Sequence, residues 1–161
     1  MTVQEFQADN IETISRLLAH FLETTHDARR DWKPAVEGAA GVRSAHEQVA
    51  ECIAVNRVFA ALLRGETPQP PNPGDTTLPF ADCAGAQTML IESGKELANV
   101  IRAMSDEDLS RMYVTRRGPM PGAQIIVLPY RNMAYHSGQI NFIQLLYGDT
   151  EFRPQPAPKT A

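Results

Sequence analysis

The sequence predicts an all-α fold, a four-helix up-down bundle with a long Pro-rich loop between the second and third helices. Three observations predict it. Apolar residues recur at three- and four-residue spacing along four long segments, the signature of amphipathic helices. No segment alternates apolar and polar residues for long enough to mark a strand. Proline and glycine concentrate between the periodic segments, where they interrupt regular structure.

The first helix is expected over residues 2–26. Phe6, Ile11, Ile14, Leu17, Leu18, Phe21 and Leu22 form its inner face, and Thr2 with Glu5 forms a capping box. Residues 27–42 contain Trp32, Pro34, Gly38 and Gly41 and read as a connection whose Trp32 plugs one end of the core. Ser44 and Glu47 form a second capping box. From there Val49, Ala50, Ile53, Ala54, Val58, Leu62 and Leu63 carry an apolar face as far as Gly65, a C-terminal cap.

Residues 66–80 include Pro68, Pro70, Pro71, Pro73, Gly74 and Pro79, so a long loop follows, a candidate lid or entrance. A third helix is expected over residues 81–104, with Gly94 a weak point near its middle. Ser105, followed by Asp106, Glu107 and Asp108, caps a short helical turn. Past Gly118, Pro119, Met120, Pro121 and Gly122, the last helix is expected over residues 123–147, kinked at Pro129 and stopped by Gly148.

With 161 residues the chain fits one domain, a bundle over residues 1–150 followed by a Pro-rich, disordered tail over 151–161. The net charge of -4 is spread along the chain, which argues against nucleic acid or an anionic membrane surface as partners. No apolar run approaches the roughly 18 residues of a membrane span, and Met1-Thr2-Val3-Gln4-Glu5 does not open a secretory signal. A cytoplasmic protein is therefore expected, with Cys52 and Cys83 reduced and Cys52 packed as a small apolar residue.

The chemistry concentrates in Arg131-Asn132-Met133-Ala134-Tyr135-His136-Ser137-Gly138-Gln139-Ile140. Asn132 and His136 are four residues apart and share a helix face, as two ligands of one ion would. On the second helix Glu47 and Glu51 also share a face, and the next step along it is the apolar Val55. Glu51 thus stands where a polar stripe runs into the core, and must be exposed, protonated, hydrogen-bonded or a metal ligand. His136 reads equally as a buried histidine satisfied by Asn132, Gln139 or Tyr135. His46 lies five residues before Glu51, about 140° around the helix, and cannot easily join the same site. His20 and His26 suit the negative end of the first helix.

The run Arg43-Ser44-Ala45-His46-Glu47-Gln48-Val49-Ala50-Glu51-Cys52, the long Pro-rich loop and the Tyr-His-x-Gly-Gln-Ile stretch together resemble the DinB/YfiT-like superfamily. The resemblance implies a four-helix bundle holding a divalent metal with three histidines, one on the second helix and a His-x-x-x-His pair on the last. His136 matches the last of these, Asn132 takes the place of the one before it, and Glu51 stands where the second-helix histidine would be. A carboxylate and an amide in place of two imidazoles shift preference toward harder cations and lower affinity for zinc or nickel.

The resemblance implies a metal-dependent enzyme, a hydrolase or a transferase using a low-molecular-weight thiol. Its cofactor would be manganese, iron, nickel or zinc bound by Glu51, Asn132 and His136. Tyr135 and Gln139 are the candidate substrate contacts, Tyr130 and Arg131 could add to an anion site, and Glu47 and Tyr135 are within reach as acid or base. Partners would be a small-molecule substrate or thiol and a second copy of the chain, since such proteins commonly pair as homodimers through helices. The alternative is a metal-free, non-catalytic bundle that binds a small ligand or serves as an interaction module.

Overall fold

The computed structural model describes residues 1–34, 41–67 and 77–151. Four long helices dominate: α1 (Val3–Thr24), α2 (Ala45–Leu63), α3 (Cys83–Arg102) and α6 (Leu128–Leu146). Between α3 and α6 lie the short helix α4 (Asp106–Ser110), the hairpin strands β1 (Met112–Thr115) and β2 (Gly118–Pro121), and α5 (Gly122–Ile125). Each long helix begins or packs for reasons visible in its residues. Thr2 and Ser44 cap α1 and α2 as expected, each paired reciprocally with the glutamate three residues on. Asp82 caps α3 by accepting from the Gly85 amide.

The helices form a ring in which α1 and α2 each pack against both α3 and α6. Their directions follow from cross-helix bonds. Arg102 near the end of α3 pairs with Asp9 and Glu12 near the start of α1, at 2.8 and 2.6 Å, so these two run antiparallel. Gln7 reaches the Ile126 carbonyl just before α6, and Gln144 near the end of α6 reaches the Phe21 carbonyl, so α1 and α6 run parallel. On α2, Gln48 meets His136 while Asn56, two turns later, meets Met133 of α6, so those two are antiparallel.

It follows that α2 and α3 point the same way, and the expected simple up-down alternation does not hold. A short turn can join only antiparallel neighbours. Parallel ones need a connection that travels back along a helix of 19 residues, about 28 Å at 1.5 Å per residue. The sequence between Leu63, where α2 ends, and Cys83, where α3 begins, is long enough for such a connection. Its proline cluster from Pro68 to Pro73, and with it the expected lid, lies outside the described residues, as does the tail beyond Glu151.

Four further expectations are corrected. First, Met112-Tyr113-Val114-Thr115 forms a strand paired in register with residues 118–121, with Tyr113 inward and Met112 and Val114 outward. Alternation over four residues is too short to register as a period. Gly118, at φ +99°, turns the chain into β2.

Second, the last helix does not run unbroken from residue 123. A separate turn, α5, precedes it, and Pro129 occupies the first turn of α6, where its missing N–H has no intrahelical partner to lose. Pro129 therefore breaks no hydrogen bond of α6. Third, Trp32 is half-buried outside the core, with the Arg29 guanidinium 5.4 Å from its ring and 5.6 Å from that of Tyr147. Finally, Phe6 is exposed, because the inner stripe of α1 that carries Ile11, Ile14, Leu18 and Leu22 extends back through Gln7 and Gln4. Those amides bond the Ile126 and Met104 carbonyls, closing that end of the core with polar side chains.

Candidate functional site

Glu51 on α2 and His136 on α6 meet across the antiparallel pair, with His136 Nε2 3.6 Å from Glu51 Oε1. The other imidazole nitrogen, Nδ1, faces two amide oxygens, Gln139 Oε1 at 2.8 Å and Gln48 Oε1 at 3.2 Å. Amide oxygens only accept, so Nδ1 carries the proton and Nε2 presents a lone pair. Burial holds the imidazole below the ordinary histidine pKa. The Gln139 bond pulls the other way, and the Arg43 charge adds to the lowering. With the ring neutral, the 3.6 Å approach sets one acceptor against another and is not a salt bridge.

Arg43 completes the arrangement. Its guanidinium pairs with Glu51 Oε2, a buried atom. Gln48 links the parts, since its Nε2 donates to the Arg43 carbonyl at 3.2 Å while its Oε1 faces His136. Asn132 lies one turn before His136 on the same face of α6, and its Oδ1 is buried without a hydrogen-bond partner. Tyr135 is exposed and packs edge-on to the imidazole with ring centroids 5.5 Å apart.

These residues fit a divalent cation in one specific sense. The Nε2 lone pair faces a carboxylate oxygen, and one turn earlier on the same helix stands a buried amide oxygen without a hydrogen-bond partner; acceptors of that kind are what a cation satisfies. Among the described residues no three His, Cys, Asp or Glu side chains gather into a metal cluster, so such a site would depend on the Asn132 amide oxygen.

Sequence reasoning paired Glu51 with His136 across the bundle, and the structure brings them together. Gln139, a candidate substrate contact, directs its carbonyl oxygen to His136. Glu47, a candidate acid or base, is turned to the helix start, where it accepts from the Ser44 amide at 2.8 Å and from Lys33 at 2.6 Å. Tyr130 and Arg131 are exposed. His46 lies elsewhere, its Nδ1 2.9 Å from Asp31 and its ring against Phe80. Cys52 is fully buried beside Glu51 in sequence, and burial pushes its thiol pKa up. Both cysteines are free.

Two members of this cluster were missed. Gln48 lies three residues before Glu51 on the same helix face, a spacing that could have revealed it. Arg43 precedes the helix and carries no periodic signal.

The depressed His136 pKa has a consequence for stability. In the unfolded chain the ring binds a proton near pH 6.5, whereas in the folded protein it does so only at lower pH. The stabilisation is thus present above the ordinary histidine range and is lost as pH falls below it. Urea unfolding midpoints measured from pH 7.5 to 5, a range spanning the histidine pKa, should decline more steeply for wild type than for His136→Gln; equal slopes would show that the histidine is not the source.

A model of the DinB superfamily matches residues 10–140. The fold is similar to that of a DinB-like protein from Bacillus subtilis known from a crystal structure. The TM-score is 0.69 at 14% identity, with 92% of this chain and 96% of that one covered. No curated protein matches the chain. No described helix is long and apolar enough to cross a membrane. The family model runs from within α1 through α2 and α3 into α6 as far as Ile140, through the Tyr135-His136-Ser137-Gly138-Gln139-Ile140 run that first pointed to it, and the chain belongs to the DinB superfamily.

Proposed function

We propose that this protein is a metal-dependent enzyme of the hydrolase or low-molecular-weight-thiol transferase type, with a divalent cation held by Glu51, Asn132 and His136. The observation that carries the proposal is the approach of two acceptors, the His136 Nε2 lone pair 3.6 Å from Glu51 Oε1, with the buried, unbonded Asn132 Oδ1 one turn before His136 on the same helix. Manganese or iron suits this oxygen-rich set better than zinc or nickel. When bound, such an ion lowers the pKa of a coordinated water or thiol and so supplies a nucleophile at neutral pH.

The chain's own residues prepare that chemistry. Gln139 and Gln48 fix the imidazole with its proton on Nδ1, which keeps Nε2 available. Burial keeps the ring neutral, the form a ligand needs. Tyr135, exposed beside His136, is placed to stack on a substrate. Substrate would be a small molecule or thiol, and the same reading includes a cytoplasmic homodimer.

A second reading is favoured by Arg43. Because its guanidinium already neutralises Glu51, the cluster is balanced without an ion. The protein would then be a metal-free bundle that binds a small ligand or acts as an interaction module. Calorimetric titration with manganese, iron, nickel and zinc separates the two. The enzyme reading expects one ion per chain in wild type and at least about a tenfold weaker Kd in His136→Ala, the scale for losing one ligand. Absence of binding for all four ions in the wild type leaves only the metal-free bundle.

A further inference from the structure

We propose that Arg43 and a divalent cation compete for the single carboxylate of Glu51, and that Arg43, once released, is the anchor for an oxyanion on the substrate, a carboxylate or a group of similar shape. This rests on the metal-binding reading above. Glu51 is the one acidic side chain in the cluster, with Oε1 toward His136 and Oε2 toward Arg43. Oε2 is therefore taken by Arg43 while Oε1 faces the imidazole lone pair, and the carboxylate has a single negative charge to share between Arg43 and a cation.

Charge decides the rest. With Glu51 ionised, His136 neutral and Asn132 uncharged, Arg43 brings the cluster to zero. A divalent cation would raise it to a net charge of two, in a place where Glu51 Oε2 and Asn132 Oδ1 are buried. Among the described residues no further carboxylate gathers there to offset it. An anion from outside must do so, because uncompensated charge in a partly desolvated site is costly.

Arg43 is built for that contact. It stands immediately before the Ser44 cap of α2, so only its backbone is tied to the helix start, through the Gln48 bond to its carbonyl. Its side chain is 50% exposed, whereas that of Glu51 is 30% exposed, which puts the guanidinium on the solvent side of the carboxylate. A planar guanidinium binds a carboxylate through two parallel N–H bonds, and no other side chain type here offers that geometry. The inferred ligand thus carries an oxyanion near the atom that reacts.

Manganese binding, followed by calorimetry and by the electron paramagnetic resonance of the free ion, tests the competition. Oxalate added to the manganese-loaded protein tests the anchor. Arg43→Gln should bind manganese about tenfold more tightly than wild type, the scale for removing one competing charge, and the loaded variant should bind oxalate about tenfold more weakly. Arg43→Lys, which keeps the charge but not the fork, should leave manganese affinity near wild type and still lose oxalate affinity.

If wild type binds manganese and Arg43→Gln binds it equally or less tightly, the competition is refuted while the metal site stands. Unchanged oxalate affinity in both variants refutes the anchor. If neither wild type nor Arg43→Gln binds manganese, the metal-binding reading itself fails, and this inference with it.

Discussion

Gly94→Val should destabilise the protein by roughly 3 kcal/mol, the upper part of the range for overpacking a filled core. Gly94 lies midway along α3 where that helix crosses α1. A Cβ added there would stand 2.9 Å from Ser15 Cβ, would overlap Ser15 Oγ and would be 3.9 Å from Asn56 Nδ2. Ser15 cannot swing aside easily, because its hydroxyl is bonded back to the Ile11 carbonyl at 2.7 Å. The helices would have to separate, loosening Leu90 and Leu97 on the same face.

Propensity alone points the other way, since replacing a mid-helix glycine by alanine favours the helix by about 1 kcal/mol. The two effects oppose each other in Gly94→Ala, and the steric one should win by a small margin. Urea unfolding of Gly94→Ala, Gly94→Val and the double variant Gly94→Ala/Ser15→Gly provides the check. Rescue by Ser15→Gly is expected; a Gly94→Val as stable as wild type would mean that α1 and α3 do not approach this closely.

Gln144→Glu should be more damaging than Gln144→Ala, although glutamate is nearly the same shape as glutamine. The fully buried Gln144 Nε2 donates toward the Phe21 carbonyl at 3.1 Å, Thr25 Oγ1 at 3.1 Å and Thr24 Oγ1 at 3.3 Å. Both threonine hydroxyls already donate to carbonyls of α1. A carboxylate would therefore face acceptors only, beside the negative end of the helix dipole. It would have to ionise at that cost or fold with a proton bound.

The alanine variant loses the bonds and leaves a cavity, about 2 to 4 kcal/mol. The glutamate variant should exceed that at pH 7 and recover part of the difference at pH 4.5, near its ordinary pKa. Thermal unfolding at both values decides; a glutamate variant as stable as wild type at neutral pH would show that this amide does not donate into the end of α1.

These two sites illustrate different limits of sequence reading. Gly94 stood out in the sequence as a weak point of its helix, which is what an isolated glycine means locally. Its role is tertiary: it lets two helices that are far apart in sequence approach closely. Gln144 gave no signal, because a glutamine on an apolar helix has the same local pattern whether it is exposed or fully bonded.

Local chemistry was enough to determine the helices. The capping boxes at Thr2 and Ser44 start α1 and α2 where they were expected, because a cap depends on residues three apart. The pairing of Glu51 with His136 was legible through the family resemblance, which sets a second-helix position against the last helix, and the two side chains do meet. The parallel course of α2 and α3, the hairpin at residues 112–121, the place of Pro129 in the first turn of α6 and the contact of Arg43 with Glu51 were decided only in three dimensions. The physical reason is common to all of them. Periodicity reports which face of an element is apolar, but the direction of neighbouring helices and the reach of a long side chain from outside a helix depend on contacts between distant residues, which leave no period in the chain.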